Sequence, residues 1–478
     1  MKFELKSDYY NKLDNRFYKK VLPEPVSENV MTIFNEELAE QLGMPVQELI
    51  NMPEIFAGNK IPDGWNPIAQ AYSGHQFGYF TRLGDGRAVL LGEWEDPLGE
   101  LWDIQLKGSG RNPYSRGGDG RATAGSMLRE YIISEGMNSL GIPSSRSLAV
   151  VETGEPVRRQ TIKPGAVLTR VSKSHIRVGT FQYAYEVGGS DLVRSLADYV
   201  IQRYYKDDDY ISFLDKVIDL QAKLVSEWMR VGFIHGVMNT DNVSIIGITF
   251  DYGPCAFIDY YNPDEVFSSI DTMGRYKFSN QPQIAKWNLA RLVELFVDIF
   301  SDNKDEGIEI AQNLIDGFDE KYNSYYLSAM ASKIGIFDPI DTDLLLINKL
   351  LNFMFSSNLD YTNTFHMLTT GDYKYDERFN TDAFKEFENE WEKRLRGEQM
   401  GQIAVSQLME RNNPVLIPRN HLVEKAIKLV ENEGDYSFAK RLIESLKNLY
   451  DYSIKVDNEF TVPMDLREKM SYKTYCGT

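Results

Sequence analysis

Between Leu101 and Lys107 the apolar Trp102, Ile104 and Leu106 alternate with Asp103, Gln105 and Lys107. This period-two pattern predicts a strand and sends Lys107 off the face opposite the apolar one. Short apolar runs predict further strands at Ala88 to Leu91, Leu148 to Val151 and Ala166 to Val171. Elsewhere the period changes: Ala124, Met127, Leu128, Tyr131 and Ile132 recur at helical spacing, and Gly141 with Pro143 supplies a stop. Glu130 falls on the flank of that stripe beside Met127, Ile133 and Met137. An unpartnered carboxylate would be costly there, so it needs a cation. Leu214, Val217, Ile218, Gln221, Leu224, Val225 and Trp228 mark a strongly amphipathic helix. Beyond residue 280 segments such as AKWNLARLVELFVDIF and HLVEKAIKLVENE keep the helical period.

These patterns predict an α+β chain, sheet-rich in its first half and mostly helical in its second. Prolines at 23, 25, 45, 53, 62 and 67 break residues 1–75 into an extended segment with short helices that wraps the lobes. Residues 76–185 form the sheet-rich lobe and 186–478 the helical lobe with a C-terminal extension. A length of 478 residues requires two or more lobes. The absence of repeats, low-complexity runs and linkers predicts that they pack closely. Apolar residues at 42% and charged residues at 26% describe a packed, water-soluble protein. The net charge of −18 repels polyanions and argues against nucleic-acid or anionic-membrane binding. An anionic ligand must therefore be held by a local basic cluster. Two cysteines, Cys255 and Cys476, give no disulfide framework, and five scattered histidines give no zinc spacing. With no signal-peptide pattern and no apolar window of membrane length, the expected location is the cytoplasm.

The chemistry concentrates in two stretches. Gly84 to Gly125 holds ten glycines together with Arg87, Lys107, Arg111, Arg116 and Arg121. The second stretch, HGVMNTDNVSIIGITFDYGP from His235 to Pro254, carries Asp241, Asn242 and Asp251 on either side of a short hairpin-like run. Hard cations such as Mg²⁺ are bound by a few such oxygens plus substrate phosphates. His235 and Asn242 keep the spacing of the kinase loop H-R-D-x-x-x-x-N, and Asp251-Tyr252-Gly253 stands where D-F-G would follow. Val237 occupies the position of the kinase base, and Asp241 is the nearest carboxylate that could replace it. Upstream, Gly84-Asp85-Gly86-Arg87 resembles a shortened glycine-rich loop, Lys107 the phosphate-binding lysine and Glu130 its ion-pair partner. Each feature alone has a plainer reading. Asp-Gly is the commonest hairpin turn, Lys107 and Glu130 would be surface charges, and Arg170 and Arg177 would be surface salt bridges. His235 reads as an organiser of its loop, and His75 and His175 stay open.

Taken together, NPIAQAYSGHQFG, LGDGRAVLLGE, QLKGSGRNPYSRGGDGRATAGSMLREY, HGVMNTDN, FDYGP and the terminal YKTYCGT resemble the selenoprotein O family, protein adenylyltransferases built on a protein-kinase-like fold. The resemblance runs from about Asn66 to Leu292, returns at the terminal YKTYCGT and implies a bilobal kinase-like architecture. It implies nucleotide contacts from Gly84, Gly86, Arg87, Lys107, Asp119, Gly120, Arg170 and Arg177, with Asp251 also at the nucleotide. Asp241 would be the proton acceptor, Asn242 and Asp251 would hold Mg²⁺ or Mn²⁺, and Glu130 would pair with Lys107. The implied reaction transfers AMP from an inverted ATP to Ser, Thr or Tyr hydroxyls of proteins and releases pyrophosphate. Selenium-containing members carry selenocysteine near the C-terminus, where this chain has Cys476. Two other readings compete: a phosphotransferase kinase with a displaced base, and a nucleotide-binding pseudokinase scaffold. The retained Asn242 and Asp251 count against the scaffold.

Overall fold

The computed structural model describes residues 3–206, 209–398, 400–469, 472 and 474. Its first half is built on an antiparallel seven-stranded sheet. The strands in chain order are β1 (Tyr18–Lys20), β2 (Val30–Phe34), β3 (Ile68–Gln70), β4 (Ser73–Gln76), β5 (Tyr79–Arg82), β6 (Ala88–Glu95), β7 (Leu101–Lys107), β8 (Arg146–Arg158) and β9 (Ile162–Ser172). The sheet order is β1-β3-β6-β7-β9-β8-β2, and β4 and β5 pair apart from it. Each expected strand lies inside an observed one, and β1 and β2, from the first 75 residues, are the two sheet edges.

The alternation in β7 decides what each sheet face can carry. Ile104 and Leu106 join Val89, Leu91, Val151 and Val171 in a core closed from outside by Phe3, Leu38, Leu42 and Phe56. Asp103, Gln105 and Lys107 point the other way, yet all three are buried. That second face is covered by the helix Ala124–Ser139 (α1), whose N-cap Thr123 accepts a hydrogen bond from Ser126 N at 3.1 Å. Beyond the one apolar stripe read from its sequence, α1 is buried nearly all round. Met127, Leu128, Tyr131 and Ile132 enter the main core, while Gly125 lies against Ile427 and Glu431 and Gly136 against Pro418 of the C-terminal region. The flank carrying Glu130 is therefore interior.

The second half is helical. Its main helices are α2 (Val178–Val200), α3 (Tyr210–Val231), α4 (Gln281–Val293), α5 (Lys304–Lys333) and α6 (Asn420–Glu433). The stripe read from Leu214 to Trp228 is the buried face of α3. The run between Asp241 and Asn242 on one side and Asp251 on the other does not form the expected hairpin. Ser244 bridges to Arg177 and Thr249 to Ser144, so the run is fastened to the sheet-bearing half. The antiparallel pair lies outside it, joining β10 (Phe233–Ile234) to β11 (Ala256–Phe257). Among the described residues no helix is long and apolar enough to cross a membrane. Cys255 is a buried free thiol, and Cys476 lies outside the described residues.

Candidate active site

A cleft of about 800 Å³ separates the two glycine-rich loops of the sheet half from the 235–254 stretch of the helical half. Gly84, Gly86, Arg87, Asp119, Gly120, Asp241, Asn242 and Asp251 all line it. Its volume suits a nucleotide-sized ligand. The Gly84–Arg87 turn does not join two paired strands, because β5 pairs with β4 and β6 with β3 and β7. The plainer hairpin reading therefore fails. Gly84 and Gly86 instead lie under Tyr114 of the second loop. In that loop Gly120 has φ +66°, and a Cβ on it would sit 1.9 Å from Gly110 O. Only glycine lets the loop fold back so tightly. Asp119 is bound to Arg159 at 2.8 Å on the outer lip, a partner that the sequence reading missed.

Lys107, Glu130 and Arg170 form a buried cluster behind the cleft. Lys107 Nζ lies 2.5 Å from Glu130 Oε2 and also contacts Asp251 Oδ1. Arg170 donates to Glu130 Oε1 from Nε at 2.9 Å and from Nη2 at 2.5 Å, and reaches Asp251 at 3.4 Å. The surface salt-bridge reading of Arg170 and Arg177 is thus overturned, with both side chains about as buried as the core. Burial alone would raise the Glu130 and Asp251 carboxyls. Arg170 and Lys107 outweigh it at Glu130, and Lys107, Arg170 and Arg87 hold Asp251 well below the usual carboxylate range. Lys107, Arg87 and Glu130 also face a second cavity of about 950 Å³ between α1 and α6.

Asp241 sits on the loop 235–242, which is clamped from several sides. His235 Nε2 lies 3.2 Å from Phe250 O, its backbone N–H donates to Gln281 Oε1, and burial lowers the ring's pKa. This fits the organising role expected for it. Asn288 Nδ2 donates to Met238 O at 2.9 Å. The β4–β5 hairpin holds the other side, with His75 N–H donating to Thr240 Oγ1 at 2.7 Å and Phe77 N–H to Asn239 Oδ1 at 3.1 Å. Arg177 stacks on Tyr72 and Phe250 at 4.1 and 4.8 Å and donates to Asp241 O at 3.1 Å. It acts on the backbone beneath Asp241 and does not line the cleft. The hairpin was missed as a site element, although SGHQFG was among the motifs singled out. The two open histidines now have places. His75 lies between Gln182, Phe80 and Trp287, and His175 bonds Asp103 at 3.0 Å.

Asp241 is itself buried, and its Oδ1 has no hydrogen-bond partner among the described residues. Burial pushes its carboxyl up to about 6 against the pull of Arg177. A carboxylate on a cleft wall whose raised affinity for a proton goes with an unsatisfied oxygen is a candidate proton acceptor. Asn242 Nδ2 donates to Val237 O at 3.0 Å, and among the described residues no hydrogen bond ends on its Oδ1. Asp251 takes both cations on Oδ1, leaving Oδ2 without a partner there. The free oxygens of Asn242 and Asp251 are hard, and one carries charge, which fits Mg²⁺ or Mn²⁺ completed by phosphate oxygens. Among the described residues no cluster of three or more His, Cys, Asp or Glu could hold a metal by itself.

A family model described as protein adenylyltransferase SelO matches residues 3–447. The chain is 49% identical to the protein nucleotidyltransferase YdiU of Geobacillus kaustophilus over 98% of both chains. It is 50% identical to that of Clostridium botulinum (strain Eklund 17B / Type B), covering 98% of this chain and 96% of the relative. The protein of the same name from Shouchella clausii is 49% identical over 98% of both chains.

Proposed function

The chain belongs to the protein adenylyltransferase SelO family and is a protein nucleotidyltransferase, and from that premise we propose that it moves AMP from ATP to Ser, Thr or Tyr hydroxyls of proteins, in a kinase-like cleft that holds ATP inverted. The observation that carries this reading is Asp241: a buried carboxylate that lines the cleft with Asn242 and Asp251, its Oδ1 without a hydrogen-bond partner among the described residues, while the kinase base position is Val237.

In the proposed reaction Asp241 accepts the acceptor hydroxyl's proton, and its raised basicity keeps it effective near neutral pH. The hydroxyl oxygen forms a bond to the α-phosphorus as the bond to the bridging oxygen of pyrophosphate breaks. Arg87 on the cleft wall, with Lys107 and Arg170 buried behind it, supplies positive charge towards the side where an inverted nucleotide would place its outer phosphates and the leaving group's charge develops. Asn242 and Asp251 would hold Mg²⁺ or Mn²⁺, which would supply further neutralisation of the phosphates.

ATP labelled at the α- or γ-phosphate separates the readings. Protein label is expected from the α-position only. Asp241→Asn is expected to slow transfer about 100-fold or more, as for loss of a general base, with ATP affinity changed by only a few-fold. Label from the γ-position alone would replace this reading by the kinase with a displaced base. ATP binding with neither label transferred to any acceptor would replace it by the scaffold.

A further inference from the structure

The cleft opens to solvent past a rim made by the β4–β5 tip and residues 270–275. Four large apolar side chains stand exposed on it: Tyr79 at 79%, Phe80 at 47%, Ile270 at 61% and Met273 at 90%. Its inner wall is continuous with the site, because Phe77 and Ile270 line the same cleft as Asp241. The tip is fastened in place. Phe77 N–H is bonded to Asn239 of the loop 235–242, the Phe77 ring packs on Tyr276 at 5.1 Å, and Phe80 meets His75 edge-on at 5.3 Å. An apolar patch held rigidly in water beside a reaction site marks a surface that another molecule covers.

The charge on this rim narrows what that molecule is. The Arg275 guanidinium lies over Trp287 at 4.8 Å and beside Gly78. Among the described residues it has no carboxylate partner, in a chain of net charge −18. Its neighbours are already engaged: Asp271 accepts from Arg275 N and Tyr276 N at 2.9 and 2.7 Å, Arg291 pairs with Glu294, and Lys277 pairs with Asp264. A stacked cation with an open partner position complements an incoming carboxylate.

We infer that this rim is the docking surface for the acceptor protein. It selects a segment with an apolar residue next to the reacting hydroxyl and an acidic residue beyond it. The inference rests on the transfer reading above, since it is the acceptor hydroxyl that must reach Asp241.

The test uses the full chain and synthetic peptides with a central Ser, Thr or Tyr. The adjacent residue is apolar or polar, and a distal residue is acidic, neutral or basic. Binding is read by fluorescence anisotropy, which needs no turnover, and transfer is read from α- and γ-labelled ATP. The apolar-acidic peptides are expected to bind at least tenfold more tightly than the polar-basic ones. Tyr79→Ser with Phe80→Ser should remove the apolar preference with the KM for ATP unchanged. Arg275→Glu should turn the charge preference from acidic to basic. An unranked library with the wild-type chain, or the same ranking in all three proteins, would overturn the inference. The expected ranking with γ-label on the peptide would keep the docking surface and sink the AMP reading. α-Label with an unchanged ranking would do the reverse.

Discussion

Glu130 accepts from two cations at once, and its removal leaves Lys107 and Arg170 sharing only Asp251. Losing one partner of a buried ion cluster costs about 3–5 kcal/mol, so Glu130→Gln should lower the Tm at pH 7. The same cluster sets a pH dependence. Glu130 and Asp251 are held below their ordinary values in the folded state, so the fold binds fewer protons than the unfolded chain. Their stabilisation is complete above the ordinary carboxylate range and is lost as pH falls through and below it. Tm measured from pH 7 downward should fall in the wild type and fall less steeply in Glu130→Gln. Equal Tm values at pH 7 together with parallel acid limbs would show that the cluster contributes nothing. The sequence showed Lys107 and Glu130 as a pair because strand alternation and an apolar helix flank both constrain them. Arg170 was harder to read. It is the cross-strand neighbour of Gln105, so it shares the polar sheet face with Lys107, but strand pairing is invisible until the sheet order is known.

The hairpin β4–β5 is the element that alternation could not find, because its side chains pack on a loop and lack a regular apolar face. What shapes it is close approach. A Cβ on Gly74 would lie 2.3 Å from Asp241 Oδ1, and one on Gly179 at the start of α2 would lie 2.0 Å from Ser73 O. Both contacts are far inside van der Waals range. Gly74→Ala must therefore move either the hairpin or the Asp241 carboxylate, and a displacement of about 1 Å at a reacting group costs about 100-fold in rate. The expected outcome is a drop of that order in kcat, with the Tm lowered only modestly and ATP still producing its thermal shift. Unchanged kcat would show that the carboxylate's position is not set by this contact. The expected hairpin within 243–250 failed for the opposite reason. The run does not pair with itself, because its backbone partners come from Arg177 and Ser144 elsewhere in the chain.

At the scale of the molecule, one core runs from Tyr9 and Phe17 through α1, α2 and α3 to Phe438, Leu442 and Phe460. The sheet half and the helical half are thus joined through a shared interior, as the lack of a flexible linker led us to expect. The C-terminal region is also tied in by charge. Arg419, 1% exposed, contacts Asp259 and donates to Asp360 Oδ2 at 2.8 Å, which links the entry of α6 to residues just past β11 and just before Tyr361. No spacing rule connects positions 259, 360 and 419, so this cluster was not legible in the sequence. Arg419→Ala would leave two neighbouring buried carboxylates without a cation, a loss of about 3–5 kcal/mol. Because α6 packs on α1, directly behind the Lys107 and Glu130 cluster, that loss should be felt by the whole molecule. Calorimetry of Arg419→Ala should show a single transition moved down by several degrees, with the nucleotide-induced thermal shift moving alongside it. Two separated transitions, with only the lower one displaced, would mean that the halves unfold independently and that the shared core does not couple them.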